Sequence, residues 1–220
     1  MIVKKIAIML LASTAICGCG NKSQQAEYGI EDSVLVDTVP TETVNVKEEV
    51  FSSPDLKIFF LHGHVKSVEE KWDGHKFVFN FNQRGDLVNA EMDEYQCSML
   101  SRDKDEGKLM EIRISNEDSS SDDDFAGFGM RFEYGADEYP ISETIFSYEY
   151  EAKTVYVFKA DSEFPVSYRT DIEDSSLDEK KTVKTKITYD VFDEQGNWTK
   201  RTGENKYNKF VVTRKITYYE

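Results

Sequence analysis

From Leu56 onward, apolar and polar residues alternate with a period of two. Phe77, Phe79 and Phe81 alternate with Val78, Asn80 and Asn82. Met110, Ile112 and Ile114 alternate with Glu111, Arg113 and Ser115, and Met130, Phe132 and Tyr134 with Arg131 and Glu133. Phe146, Tyr148 and Tyr150 flank Ser147 and Glu149. Val183, Ile187, Tyr189 and Val191 share one parity around Lys184, Lys186 and Asp190, and Phe210, Val212, Ile216 and Tyr218 share another. Such alternation puts the apolar set on one face of a strand and the polar set on the other. Helical spacing is not evident past Leu56. The pattern predicts an all-β domain, an antiparallel meander of about ten or more strands with one face buried.

Turn signals punctuate the strands. Phe79 to Leu87 reads aromatic, x, aromatic, Asn, x, x, Gly, Asp, Leu, and Phe192 to Trp198 reads aromatic, Asp, x, x, Gly, Asn, Trp. Asn or Asp at the start of such a turn bonds to backbone two residues on. Glycine supplies a positive φ without steric cost, and the large residue two positions later returns to the sheet. Asp193 and Glu194 are therefore turn residues, and adjacent carboxylates there point apart instead of converging on a substrate. Tyr134 to Ser142 and Phe158 to Ser167 share a weaker form with Ala-Asp in place of the glycine, and Pro140 and Pro165 opening the return strand. These are four related hairpins, at Phe81, Tyr134, Phe158 and Phe192, unevenly spaced.

This motif resembles the YD repeats of RHS-type proteins. It is also similar to small β-repeat lipoproteins of Bacteroidetes, which open on Gly-x-Val-Lys-Ser-Val, as Gly63 to Val68 does, and close on an aromatic strand such as Arg214 to Tyr219. The resemblance spans about Leu61 to Glu220, with Asp190 where the first aromatic of the motif is expected. It implies a curved or rolled sheet built from hairpin repeats, and no activity.

The first residues, MIVKKIAIMLLASTAICGCG, combine a basic start at Lys4 and Lys5 with an apolar run from Ile6 to Ile16, too short to span a bilayer as a helix. The stretch resembles a bacterial lipoprotein signal peptide. Ile16-Cys17-Gly18-Cys19 fits its cleavage box, with Cys19 as the lipidated residue; cleavage before Cys17 would leave Ile16 where a small residue is expected. The expected organisation is a signal peptide over 1–18, the lipidated cysteine and a flexible acidic tether over 19–55, and the hairpin domain over 56–220. The tether is rich in Ser, Thr, Glu and Asp, with room for a short strand at Val34 to Val36. Cys97 is then the lone cysteine of the mature chain, so no disulfide forms within it. Lys22 is the only charge between Cys19 and Glu27; the resemblance to Bacteroidetes lipoproteins, which often carry an acidic cluster there for export to the cell surface, then implies the periplasmic side of the outer membrane, with surface exposure as the alternative.

Charge narrows the partners. The 220 residues carry 27 Lys and Arg against 42 Asp and Glu, a formal charge of −15. Nucleic acid requires clustered cations, so it is excluded. His62, His64 and His75 are the only histidines, and a hairpin closed by Asp73-Gly74 would bring His75 opposite the other two, a set suited to zinc or copper. The run Asp122 to Asp124 and the loop Glu173 to Glu179 lack the alternating oxygens and distal Glu of a calcium loop. We assign no metal site, no cofactor and no catalytic residue, as neither a phosphate loop nor a nucleophile elbow appears.

Two functions fit. One is a non-enzymatic envelope lipoprotein, anchored in the membrane through its lipid, whose sheet docks another envelope protein. The other is a β-sandwich or barrel that binds a glycan or small molecule, with Trp72 and Trp198 as stacking platforms.

Overall fold

The structure, a computed structural model, describes residues 51–115, 127–136, 139–160 and 162–220. Among these, a five-residue helix, α1 (Pro54–Ile58), precedes twelve strands. They are β1 (Val65–Trp72), β2 (His75–Phe81), β3 (Leu87–Met92), β4 (Tyr95–Arg102), β5 (Leu109–Ser115) and β6 (Gly127–Tyr134). The second half comprises β7 (Pro140–Phe146), β8 (Tyr150–Val157), β9 (Ser167–Asp174), β10 (Glu179–Phe192), β11 (Trp198–Glu204) and β12 (Lys209–Tyr218). Each strand pairs antiparallel with the next. The expected antiparallel meander is present, but the sheet is not left curved or rolled. β12 pairs with β1, from Val68 opposite Ile216 to Trp72 opposite Val212, and closes a barrel. The seams differ in length: β3 and β4 pair only where Glu91 stands opposite Gln96 and Met92 opposite Tyr95.

The apolar parity points inward along most strands. Phe79, Phe81, Ile112, Ile114, Phe132, Val183, Ile187 and Val212 are buried. The exceptions have local causes. A register shift in β10 between Tyr189 and Val191 flips the alternation, and Val191 is 47% exposed. Tyr148 lies in the turn between β7 and β8, 78% exposed, so Phe146 and Tyr150 belong to different strands. Met110 faces solvent while its neighbour Leu109 is buried.

The two glycine turns share one hydrogen-bond scheme. Asn82 N–H donates to Asp86 O, and Asn82 Oδ1 accepts from Arg84 N and Asp86 N. Asp193 does the same with Asn197, Gln195 and Asn197 in those places. Gly85 and Gly196 sit at φ +80° and +81°. The stretch TYDVFDEQGNWTKR is thus a hairpin between β10 and β11.

The barrel has one plugged end. Turns alternate ends in a meander, so the β2–β3, β4–β5 and β10–β11 turns share an end with the chain entering β1. Ser53 caps α1 by accepting from Leu56 N and donates to Gly85 O at 2.7 Å. Asp55, 2% exposed, accepts from both terminal nitrogens of Arg102 and from Leu87 N. Asn197, fully buried, pairs through its amide with both the N–H and the carbonyl of His62. Phe51 stacks on His64 at 3.9 Å. The folded unit therefore begins ahead of Leu56: Phe51 to Asp55, expected as tether, are built into the plug.

Charges occupy the outer face. Lys180, Thr182, Lys184, Lys186 and Thr188 line one side of β10, and Lys209, Thr213, Lys215 and Thr217 one side of β12, most of them exposed. Ion pairs such as Lys180–Glu173 and Arg131–Glu111 link adjacent strands. A lipid-facing barrel needs an outward apolar band, and each Lys or Arg at the midplane would cost about 2–4 kcal/mol. The outward faces of β10 and β12 do not form such a band, although Val191 and Val211 are also exposed there.

Candidate functional site: the barrel lumen

A cavity of about 210 Å³ occupies the lumen, reaching from Trp72, Asp73 and Asn205 at the rim to Phe59 and Phe60 of the plug. Its wall has two characters. On the β2–β6 side it is Phe77, Phe79, Met92, Phe128, Met130 and Phe132. On the opposite side, β7 to β12 and β1 contribute Glu143, Tyr156, Tyr168, Arg201, Arg214 and Glu70. The polar belt lies against the plug: Arg214 Nη1 donates to Phe59 O at 2.8 Å, and the Phe60 ring meets Tyr156 at 5.5 Å. Nearer the rim the same strands turn apolar, with Tyr150, Ala152, Ile172 and Val183 packed as a second cluster.

Cross-strand register explains the belt. Arg214 stands directly opposite Glu70, and its Nε reaches Glu70 Oε2 at 2.7 Å. Arg201 Nη2 stands 4.0 Å from Glu70 Oε1. Burial pushes the Glu70 carboxyl up, but the charges of Arg214 and Arg201 outweigh it and hold Glu70 below its ordinary value. Glu143 moves the other way: burial raises it, and the hydrogen bond from Tyr156 only partly offsets this. Burial, then the adjacent Glu143 carboxyl, pushes the Tyr156 hydroxyl well above its ordinary value. Two carboxyls in one belt are thus biased oppositely, Glu70 to the charged form and Glu143 to the neutral one.

The two tryptophans occupy different surroundings. Trp72 lines the cavity at the rim, 5.7 Å from the Phe210 ring. Trp198 is 0% exposed, with the Arg214 guanidinium 3.6 Å and the Arg201 guanidinium 4.5 Å from its ring centre. With no exposed surface, Trp198 offers no face to a ligand and instead stacks with the arginines. The three histidines do not gather. His62 and His64 precede β1 at the plug, whereas His75 is at the rim, its Nδ1 2.6 Å from Asp93 Oδ2. Cys97 is half-buried, and burial pushes its thiol up. Cys19 and the Asp122 to Asp124 run lie outside the described residues.

The belt itself is not among the sequence expectations. Its signal is a charged residue at an apolar parity: Glu70 between Val68 and Trp72, Arg214 between Val212 and Ile216, Glu143 between Ile141 and Ile145.

The chain matches no family model and no curated protein. Among solved structures it is similar to a porin-like protein from Bacteroides uniformis ATCC 8492, over 70% of this chain and 98% of that one, at 10% identity and a TM-score of 0.29. A likeness that slight carries no argument about function. The fold and the site define a closed twelve-stranded β-barrel, counted over the described residues, with an amphipathic lumen.

Proposed function

We propose that this protein is a non-enzymatic envelope lipoprotein whose barrel holds a small molecule in its lumen. The observation that carries this is the cavity: a concave space open at the rim, with an apolar wall and a few convergent polar groups, is the usual form of a small-molecule site. An apolar cavity of about 150 Å³ accommodates benzene, so 210 Å³ suits one ring or a short chain. Phe and Met along one whole wall favour an apolar body over a glycan. The docking-surface reading has less support, since the outer face is laced with charge.

Binding is tested by titration calorimetry of the full chain with uncharged octan-1-ol, using Trp72 emission as a second signal. One molecule per chain is expected. Ala152→Leu, which fills the lumen from a buried position beside the cavity, should weaken it. Binding unaltered by that variant would place the ligand elsewhere and sink the reading. Anchoring through Cys19 at the periplasmic face of the outer membrane belongs to the same proposal. Cys19→Ala should release the protein to the soluble envelope fraction, and Cys17→Ala should leave it membrane-bound.

A further inference from the structure

We infer that the lumenal ligand is a small amphipathic monoanion, a carboxylate that sets its acid group on Arg201 and lays its apolar body along the Phe and Met wall toward the rim. This rests on the small-molecule reading above and adds the chemical class.

The two arginines of the belt are used differently. Arg214 is engaged by the protein: Nε on Glu70, Nη1 on the Phe59 carbonyl, and its plane against Trp198. Arg201 is not. Among the described residues its nearest carboxylate oxygen is 4.0 Å away, beyond hydrogen-bond reach, and belongs to a Glu70 that Arg214 already holds. Among the described residues, Tyr189 is the hydrogen-bonding side chain it meets, and that hydroxyl also donates to Pro165 O. A guanidinium carries five N–H donors in a planar fork, so Arg201 keeps donors to spare on a surface that lines the cavity.

Charge points the same way. Two guanidinium groups face one carboxylate, Glu70, and hold it below its ordinary value, while burial raises the second carboxyl of the belt, Glu143. An added negative charge is favoured beside the two guanidinium groups. A planar carboxylate fits the fork of a guanidinium with two parallel hydrogen bonds, and the low-dielectric surroundings strengthen them. The belt lies against the plug, so the acid group enters first. The body then follows past Ala152, Ile172 and Val183 on one side and Phe128 and Met92 on the other.

The test is a charge series of equal length, titrated calorimetrically into the full chain carrying Cys19→Ala, which keeps it free of lipid and detergent. Octanoate should bind one per chain, about tenfold or more tighter than octanamide, the scale of one charge-assisted hydrogen bond. Octylammonium should bind weakest. In Arg201→Gln, octanoate should fall to the affinity of octanamide while octanamide is unchanged. Equal affinity of octanoate and octanamide for the parent chain, with both bound, would overturn the anion assignment and leave the small-molecule reading standing. A preference for octanoate that survives in Arg201→Gln would overturn it equally. Absence of binding by octanoate, octanamide and octan-1-ol alike would remove both. Should Arg201→Gln not fold, the charge series on the parent chain decides alone.

Discussion

The guanidinium of Arg214 lies 3.6 Å from the ring centre of Trp198, inside a barrel where neither side chain is open to bulk water. The same guanidinium pairs with Glu70 and holds the Phe59 carbonyl. One side chain therefore ties β12 to β1, to the plug and to the aromatic residue that follows the β10–β11 turn. Arg214→Met should cost about 3 kcal/mol in urea denaturation, because it leaves the buried Glu70 without its hydrogen-bonded partner and with only Arg201 at 4.0 Å. The double variant Glu70→Gln with Arg214→Met should recover much of that loss. A double variant as unstable as the single one would mean that stacking on Trp198, not the ion pair, carries the energy.

Two glycines of like conformation should differ in what they tolerate. Gly196 and Gly85 both sit near φ +80°, where a side chain is strained by about 1 kcal/mol. Nothing lies within 4 Å of a Cβ at Gly196. A Cβ at Gly85 would stand 2.6 Å from Ser53 Oγ, the oxygen that caps α1. Gly196→Ala should lose about 1 kcal/mol, and Gly85→Ala about 3 kcal/mol, strain plus the broken cap. Equal losses in denaturation would show that the plug is not seated on the β2–β3 turn in solution.

Local order is legible in the sequence because it is local. The period of two in Phe77, Phe79 and Phe81 and the Asn-x-x-Gly and Asp-x-x-Gly turns depend on neighbours within a few residues. Barrel closure does not. It joins Val68 to Ile216 across nearly the whole domain, and no short pattern signals that pairing. The plug escapes a sequence reading for a related reason. Ser53-Pro54-Asp55 carries a helix cap and an N-terminal proline, but five helical residues are too few to show a period. The polar belt does leave a trace. Position 214 falls on the parity of Phe210, Val212, Ile216 and Tyr218, and an arginine among them needs a partner inside. Its partner, Glu70, is 144 residues away in sequence, so the need is visible and the answer is not.

The plug suggests a third measurement. Asp55 accepts two hydrogen bonds from Arg102 and one from Leu87 N while nearly excluded from solvent. Asp55→Asn removes the charge facing Arg102 and should cost about 3 kcal/mol. Hydrogen exchange over residues 54–61 should accelerate before that of the strands, since the plug would open locally. Unchanged exchange there would show that Ser53 and Asn197 hold the segment without Asp55.

Glu143 sets the pH dependence apart from that of an ordinary acidic protein. Burial raises its carboxyl above the usual 4.5, so between that value and its folded one the native state binds more protons than the unfolded chain. Stability from this group is complete below 4.5 and is lost as pH rises through the folded value. Glu70 acts oppositely: its carboxyl is lowered, so its contribution is present above 4.5 and is lost as pH falls through its folded value. Glu143→Gln removes the first contribution and keeps an acceptor for the Tyr156 hydroxyl. The variant should therefore match or exceed the parent in unfolding free energy at about pH 7 to 8, and should lose the decline above 4.5 that the parent shows. A Glu143→Gln variant less stable than the parent in that range would mean that the charged form of Glu143 is stabilised in the lumen and that burial is not the dominant influence on it.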